Sequence, residues 1–198
     1  MTRVVLASTS RTRAAILTGA GVAHQTVGSG VDEDEAKDRL LASSAGPREI
    51  AEHLAEAKAL KVSFEWSEAL VIGADQTLDL DGELYDKTET LADAGLRLRA
   101  LRGRAHLLHS AVVVARNGVA IWRAIESPHL QMRAFSDDFL DEYLARNGEA
   151  ILSSVGCYEL EGEGAQLFDR IDGDYFAILG LPLLPLLGFL RREGAIPA

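Results

Sequence analysis

The sequence predicts an α/β fold: a single domain on a mixed, strongly bent sheet flanked by helices, with two lobes and a cleft between them. Three observations predict it. The chain opens with an apolar tetrapeptide that gives way to a helical pattern, which reads as a strand feeding a helix. Two hairpin dipeptides, Asp81-Gly82 and Asn117-Gly118, each sit between strand-like runs. Helical patterns crowd the first half and hairpins the second, which suits separate packed layers. No repeat, low-complexity tract or Pro/Gly/Ser linker divides the chain, and 198 residues with 47% hydrophobic content fill one sizeable core.

The elements follow in order. Val4 to Ala7 is a short apolar strand, Ser8 to Ser10 a turn, and Arg11 to Ala20 a helix closed by Gly21. A second strand around His24 to Val27 leads into the acidic run Asp32 to Glu35, in which Asp34 and Glu35 read as a solvated loop. Pro47 suits the first turn of a helix whose Ile50, Leu54 and Ala57 share a face, with Lys58 beside that face. Leu70 to Ala74 reads as a buried strand that ends at Asp75, and a hairpin joins 78–80 to 83–85. Thr90 and Asp93 form a capping box for a helix with Leu91, Leu98 and Leu101 on one side and Gly103 as its stop. His106 to Val114 and Val119 to Arg123 flank the second hairpin, and His129 to Phe135 adds another strand-like run. Ser136 caps a helix that ends at Asn147-Gly148. Phe176 to Leu190 reads as a buried strand end, a turn and a core helix. It is shorter than the roughly 18 residues a membrane span needs and is broken by Gly180, Pro182, Pro185 and Gly188, so no membrane partner is expected.

Charge and cysteine content narrow the function. A net charge of −10 argues against a sequence-independent grip on nucleic acid polymers, which needs many phosphate-neutralising cations. A local basic pocket still allows a small anionic ligand. The one cysteine, Cys157, excludes an intrachain disulfide, fits a reducing compartment, and reads as a small buried hydrophobe. Arg11 and Arg13 interrupt what would have to be the apolar part of a signal peptide, so a cytoplasmic location is expected.

Ser8 to Arg13 lies between a strand and a helix start, where free N–H groups attract phosphate; an ordinary Ser N-cap with solvated arginines fits the same pattern. Asp75 and Glu33 offer hard oxygen ligands of the kind Mg²⁺ takes together with substrate phosphates, and either could instead accept a proton from water. A charge at the end of a buried strand needs water, a counter-charge or a metal, although many strands simply end at a solvated Asp. Lys58 and Lys87 could neutralise a polyphosphate or lie on the surface. Asp79-Leu-Asp81-Gly82 lacks calcium-loop spacing, and His106 and His109 fall on opposite strand faces with no further zinc ligands. Arg97, Arg99, Arg102 and Arg104 have no interleaved aromatics and read as a solvated helix face.

LASTSRTRAAIL, IGADQ, the later DK, LRGRAHLLHSAV and SVGCYELEGEGAQLFDRIDGDYFAILGLPL occur in this order and cover nearly the whole chain. Together they resemble the successive blocks of the Maf-type nucleoside triphosphate pyrophosphatases. The resemblance implies a deep cleft, hydrolysis of nucleoside triphosphates to monophosphate and pyrophosphate, dependence on a divalent metal (Mg²⁺, with Mn²⁺ as the alternative), and a homodimer. It places Ser8, Ser10 and Arg13 on the phosphate-binding opening, Glu33 on the acidic position before the second helix, Lys58 and Lys87 on the cleft lysines, and Asp75 on the metal-binding or base carboxylate. Two departures stand out: the family's SPRR is Ser10-Arg11-Thr12-Arg13, and its KP is Lys87-Thr88. Where the thymidine/uridine triphosphate branch has Thr and Gln, this chain has Gln76 and Glu161, which resembles the branch acting on 7-methyl-guanosine triphosphate; a buried Glu there would suit a guanine edge or a cationic base. An inosine-type purine triphosphate pyrophosphatase and a nucleotide-binding regulator of cell division with little turnover remain as alternatives, and the presence of both Asp75 and Glu33 favours an enzyme.

Overall fold

The computed structural model of the protein describes residues 2–197. The strand β1 (Val4–Ala7) is buried along its length because it pairs in parallel with β2 (Gln25–Val27) on one side and β3 (Leu70–Leu80) on the other. Its chain turns directly into α1 (Arg11–Gly19), N-capped by Ser10. The helices α2 (Glu33–Ala42) and α3 (Pro47–Ser63) come before β3. After β3 follow β4 (Glu83–Tyr85), α4 (Leu91–Leu101), β5 (Ala105–Arg116), β6 (Val119–Glu126), β7 (His129–Met132), α5 (Asp137–Asn147), β8 (Phe168–Asp172), α6 (Tyr175–Ile178) and α7 (Leu183–Arg192). The path through the mixed sheet is β2-β1-β3-β5-β7-β8, with β4 beside β3 and β6 beside β5.

The long antiparallel ribbon of β3 and β5 joins the two lobes. Leu70, Ile72, Ala74, Val112 and Val114 at one end pack with α1 and α7, whereas Leu78, Leu80 and Leu108 at the other pack with α4, β7 and α5. On the opposite face, Ala51, Ala55 and Ala59 of α3 lie against Ala111, Val113 and Ala115. These small residues let α3 come close. A Cβ built on Gly73 would stand 2.2 Å from the Ala55 carbonyl oxygen and 2.5 Å from the Ala59 nitrogen, so only glycine fits there. Both hairpins are as expected: Asp81 and Gly82 have φ of 56° and 87°, Asn117 and Gly118 of 52° and 75°, the left-handed pair a tight primed turn requires.

Four expectations are corrected. β3 does not end at Asp75 but runs on to Leu80, because β5 pairs with it without a break from Val71↔Ala115 to Asp79↔Leu107. The acidic run is not a loop: Asp32 caps α2 by accepting from the Glu35 N–H at 3.0 Å, and three acids fill the first turn, where the helix dipole favours them. Glu33 therefore opens a helix of its own ahead of the Pro47 helix, α3. The stretch beginning at Phe176 is no strand end, since Asp174 caps the short α6 by accepting from the Ala177 N–H at 2.8 Å. Finally, Arg97 is half-buried against backbone carbonyls instead of solvated. No helix among the described residues is long and apolar enough to cross a membrane.

Candidate active site

One cleft of about 880 Å³ receives all nine residues singled out in the sequence: Ser8, Ser10, Arg13, Glu33, Lys58, Asp75, Gln76, Lys87 and Glu161. Successive side chains of β3 point to opposite faces, so Gly73, Asp75 and Thr77 all turn toward α3. Gly73 admits the helix, and Thr77 Oγ1 donates to the Pro47 carbonyl at 2.8 Å. Between them, Lys58 Nζ of α3 donates to Asp75 Oδ1 at 2.6 Å and lies 2.8 Å from Glu33 Oε2. Asp75 is 6% exposed and Lys58 4%, so each charge depends on the other. Burial raises the pKa of the Asp75 carboxyl, and the opposing pull of Lys58 and Arg13 does not cancel that rise.

The phosphate-type features gather beside this pair. Ser8 to Arg13 all line the cleft, so the N-terminus of α1 faces it. Ser10 Oγ accepts from the Arg13 N–H at 3.3 Å, and Ser8 Oγ accepts from the Ser10 N–H at 3.1 Å. The Arg13 guanidinium donates through Nε to the Gly180 carbonyl at 2.8 Å, which fixes it from the C-terminal segment. Gly180 has φ of 95°, a left-handed value that presents that carbonyl. Burial lowers the Arg13 pKa while Asp75 and Glu33 oppose the change.

The remaining residues are less uniform. Lys87 is exposed at the rim, next to Asp86. The Gln76 amide nitrogen lies within hydrogen-bond distance of Ser110 Oγ at 2.8 Å and of the Ala177 and Ile178 carbonyls at 3.0 Å, so it ties β3 to α6. Glu161 is exposed where a buried carboxylate was expected, because it lies in the irregular stretch before β8 with no element covering it.

Sequence reasoning missed Lys37, Asp86, Glu149, Tyr158 and Glu159, which also line the cleft. Lys37 stands one helical turn after Glu33 and forms an ion pair with Asp86 across the mouth; a helical reading of 33–42 would have exposed that spacing. Tyr158 OH lies 2.7 Å from Nε2 of buried His106, whose pKa burial lowers to about 4. No sequence signal marked this pair, since its partners are 52 positions apart. The cleft is basic at the α1 end and carries Glu149, Glu159 and Glu161 at the other. Among the described residues no group of three or more His, Cys, Asp or Glu side chains is placed to hold a metal.

A match to the family described as Maf-like protein spans residues 3–193. The chain belongs to the Maf family. A relative from Caulobacter vibrioides named nucleoside triphosphate pyrophosphatase is 61% identical over 196 residues, covering 99% of this chain and 98% of the relative. One of the same name from Granulibacter bethesdensis is 50% identical over 194 residues, and a Rhizobium meliloti protein named 7-methyl-GTP pyrophosphatase is 49% identical over 195 residues, each covering 98% of both chains.

Proposed function

We propose that this Maf protein hydrolyses the α–β phosphoanhydride of nucleoside triphosphates, releasing monophosphate and pyrophosphate. The observation that carries this reading is the buried Lys58 shared between Asp75 and Glu33, at the basic end of a nucleotide-sized cleft. The α1 N-terminus and Arg13 bind phosphate oxygens, and Lys58 and Lys87 hold the negative charge that builds on the leaving pyrophosphate. Asp75, held by Lys58 at 2.6 Å, either accepts the proton of the attacking water or orients that water as a metal ligand. The names of the relatives support the same reaction class.

A divalent cation fits the donor set. Asp75 and Glu33 are two hard carboxylates, each with a second oxygen besides the one facing Lys58, and Mg²⁺ is commonly held by one or two carboxylates plus substrate phosphates. When bound, Mg²⁺ or Mn²⁺ would neutralise phosphate charge beside the scissile bond. The deciding experiment is a panel of natural and modified triphosphates with and without Mg²⁺, separating pyrophosphate from orthophosphate. Orthophosphate as the sole primary product removes this reading, and tight nucleotide binding without turnover points to the regulator.

Within that activity we infer a preference for 7-methyl-guanosine triphosphate. It is supported by the acids Glu149, Glu159 and Glu161 at the far end of the cleft, which suit a cationic base, and by the name of the Rhizobium meliloti relative. Equal catalytic efficiency on uridine and 7-methyl-guanosine triphosphates would defeat it.

A further inference from the structure

Behind the cleft wall, Arg97 of α4 joins two stretches of chain that carry cleft residues. Its Nη1 donates to the Asp86 carbonyl at 2.7 Å and to the Val155 carbonyl at 2.6 Å. Its guanidinium carbon lies 4.6 Å from the centroid of the Tyr85 ring. Tyr85 and Asp86 lead directly into Lys87, while Val155 leads into Tyr158, Glu159 and Glu161. The two stretches meet again where Thr88 Oγ1 and Cys157 Sγ are 3.2 Å apart. From the front, Asp86 Oδ1 accepts the Lys87 N–H at 2.8 Å and Oδ2 pairs with Lys37. The Lys87 ammonium has no hydrogen-bond or ion-pair partner among the described residues, so what is fixed is the root of its side chain, through the backbone that Arg97 holds.

We propose that Arg97 is a positioning residue: one guanidinium, bonded to the carbonyls of Asp86 and Val155, sets the separation between Lys87 and the stretch bearing Glu159 and Glu161. A planar guanidinium suits the task because it donates in its plane while its face rests on Tyr85, which a lysine cannot reproduce. What Lys87 touches rests on the pyrophosphatase reading; the clamp itself does not. A displacement of about 1 Å in a phosphate-clamping group lowers rates by up to about a hundredfold, so a residue outside the cleft can carry a kinetic effect.

The test is a double-variant cycle with steady-state kinetics on a triphosphate and Mg²⁺, using the parent, Arg97→Ala, Lys87→Ala and the double variant. Arg97→Ala should raise KM and lower kcat/KM about tenfold or more in the parent, but less than about threefold once Lys87 is absent, because groups acting through one another are non-additive. Arg97→Lys should fall between parent and Arg97→Ala. Equal factors in both backgrounds overturn the proposal. A second arm needs no turnover: in Arg97→Ala, amide hydrogen exchange should quicken over 84–88 and 154–158 while β3 and β5 keep parental protection. Unchanged exchange in those two stretches overturns the clamp. Should Arg97→Ala fail to fold, Arg97→Lys carries both arms with smaller effects in the same directions. A parent without pyrophosphate release defeats the pyrophosphatase reading and leaves exchange to decide on Arg97.

Discussion

Replacing Lys58 by methionine keeps most of the side-chain volume and removes a cation bonded to both Asp75 and Glu33. Glu33, whose side chain is 41% exposed, can turn toward water, so the stranded charge is Asp75. Removing one partner of a buried ion pair costs about 3–5 kcal/mol. Protonation sets a limit: from its ordinary pKa of 3.8, carrying the Asp75 carboxyl neutral at about pH 7 costs about 4 kcal/mol, at 1.36 kcal/mol per pH unit. For a chain of this length that corresponds to a fall in Tm of roughly 8–16 °C. The sign of the pH dependence follows from the direction of the shift. Asp75 is already raised by burial, and losing Lys58 raises it further. Between the unfolded and folded values the folded chain binds more protons, so stability drops as pH rises through that interval. Lys58→Met should therefore lie nearest the parent at about pH 4.5 and furthest from it at about pH 7.5, read by thermal unfolding at both. Lys58→Met with Asp75→Asn should recover most of the loss at the higher pH, because no buried charge is left unpaired. A loss that does not vary with pH, or a double variant no more stable than Lys58→Met, would refute the reasoning.

Other substitutions test the remaining links. Gly73→Ala places a methyl against the backbone of α3 at 2.2 Å, so the helix must retreat; a loss of about 1–3 kcal/mol with reduced triphosphate turnover is expected, and a variant with parental Tm and kcat would show that α3 gives way freely. Asp75→Asn keeps size and removes charge, so turnover of the folded variant should fall at least about a hundredfold; parental rates would remove Asp75 from the chemistry. Glu161→Gln should shift the ratio of efficiencies away from 7-methyl-guanosine triphosphate by about tenfold, since an amide faces the base without the charge. Equal loss on uridine triphosphate would instead assign Glu161 to the phosphates, and no loss on either would leave it outside recognition.

By itself the sequence determined turns and caps whose causes lie within three or four residues, although the equally local caps at Asp32 and Asp174 escaped it because no hydrophobic period or length marked their helices. Asp81-Gly82 and Asn117-Gly118 form their turns because those dipeptides accept left-handed φ. Ser10, Thr90 and Ser136 cap helices because their hydroxyls reach backbone N–H groups three positions on. Ser8, Ser10, Arg13, Asp75, Gln76, Lys87 and Glu161 were legible as members of ordered family blocks, not as geometry, whereas Glu33 and Lys58 lie between those blocks. Tertiary structure decided the rest, because the cost of a polar group depends on partners distant in sequence. Asp75 could stay inside β3 because Lys58, 17 positions earlier, meets it there, and that meeting depends on alanines and a glycine that let α3 approach. α2 has no buried residue, so no hydrophobic period marked it; its side chains are moored instead to Lys58 and to Asp86, 49 positions from Lys37. Arg97 turned inward for the same reason, since the carbonyls it binds come from separate stretches that only folding brings together.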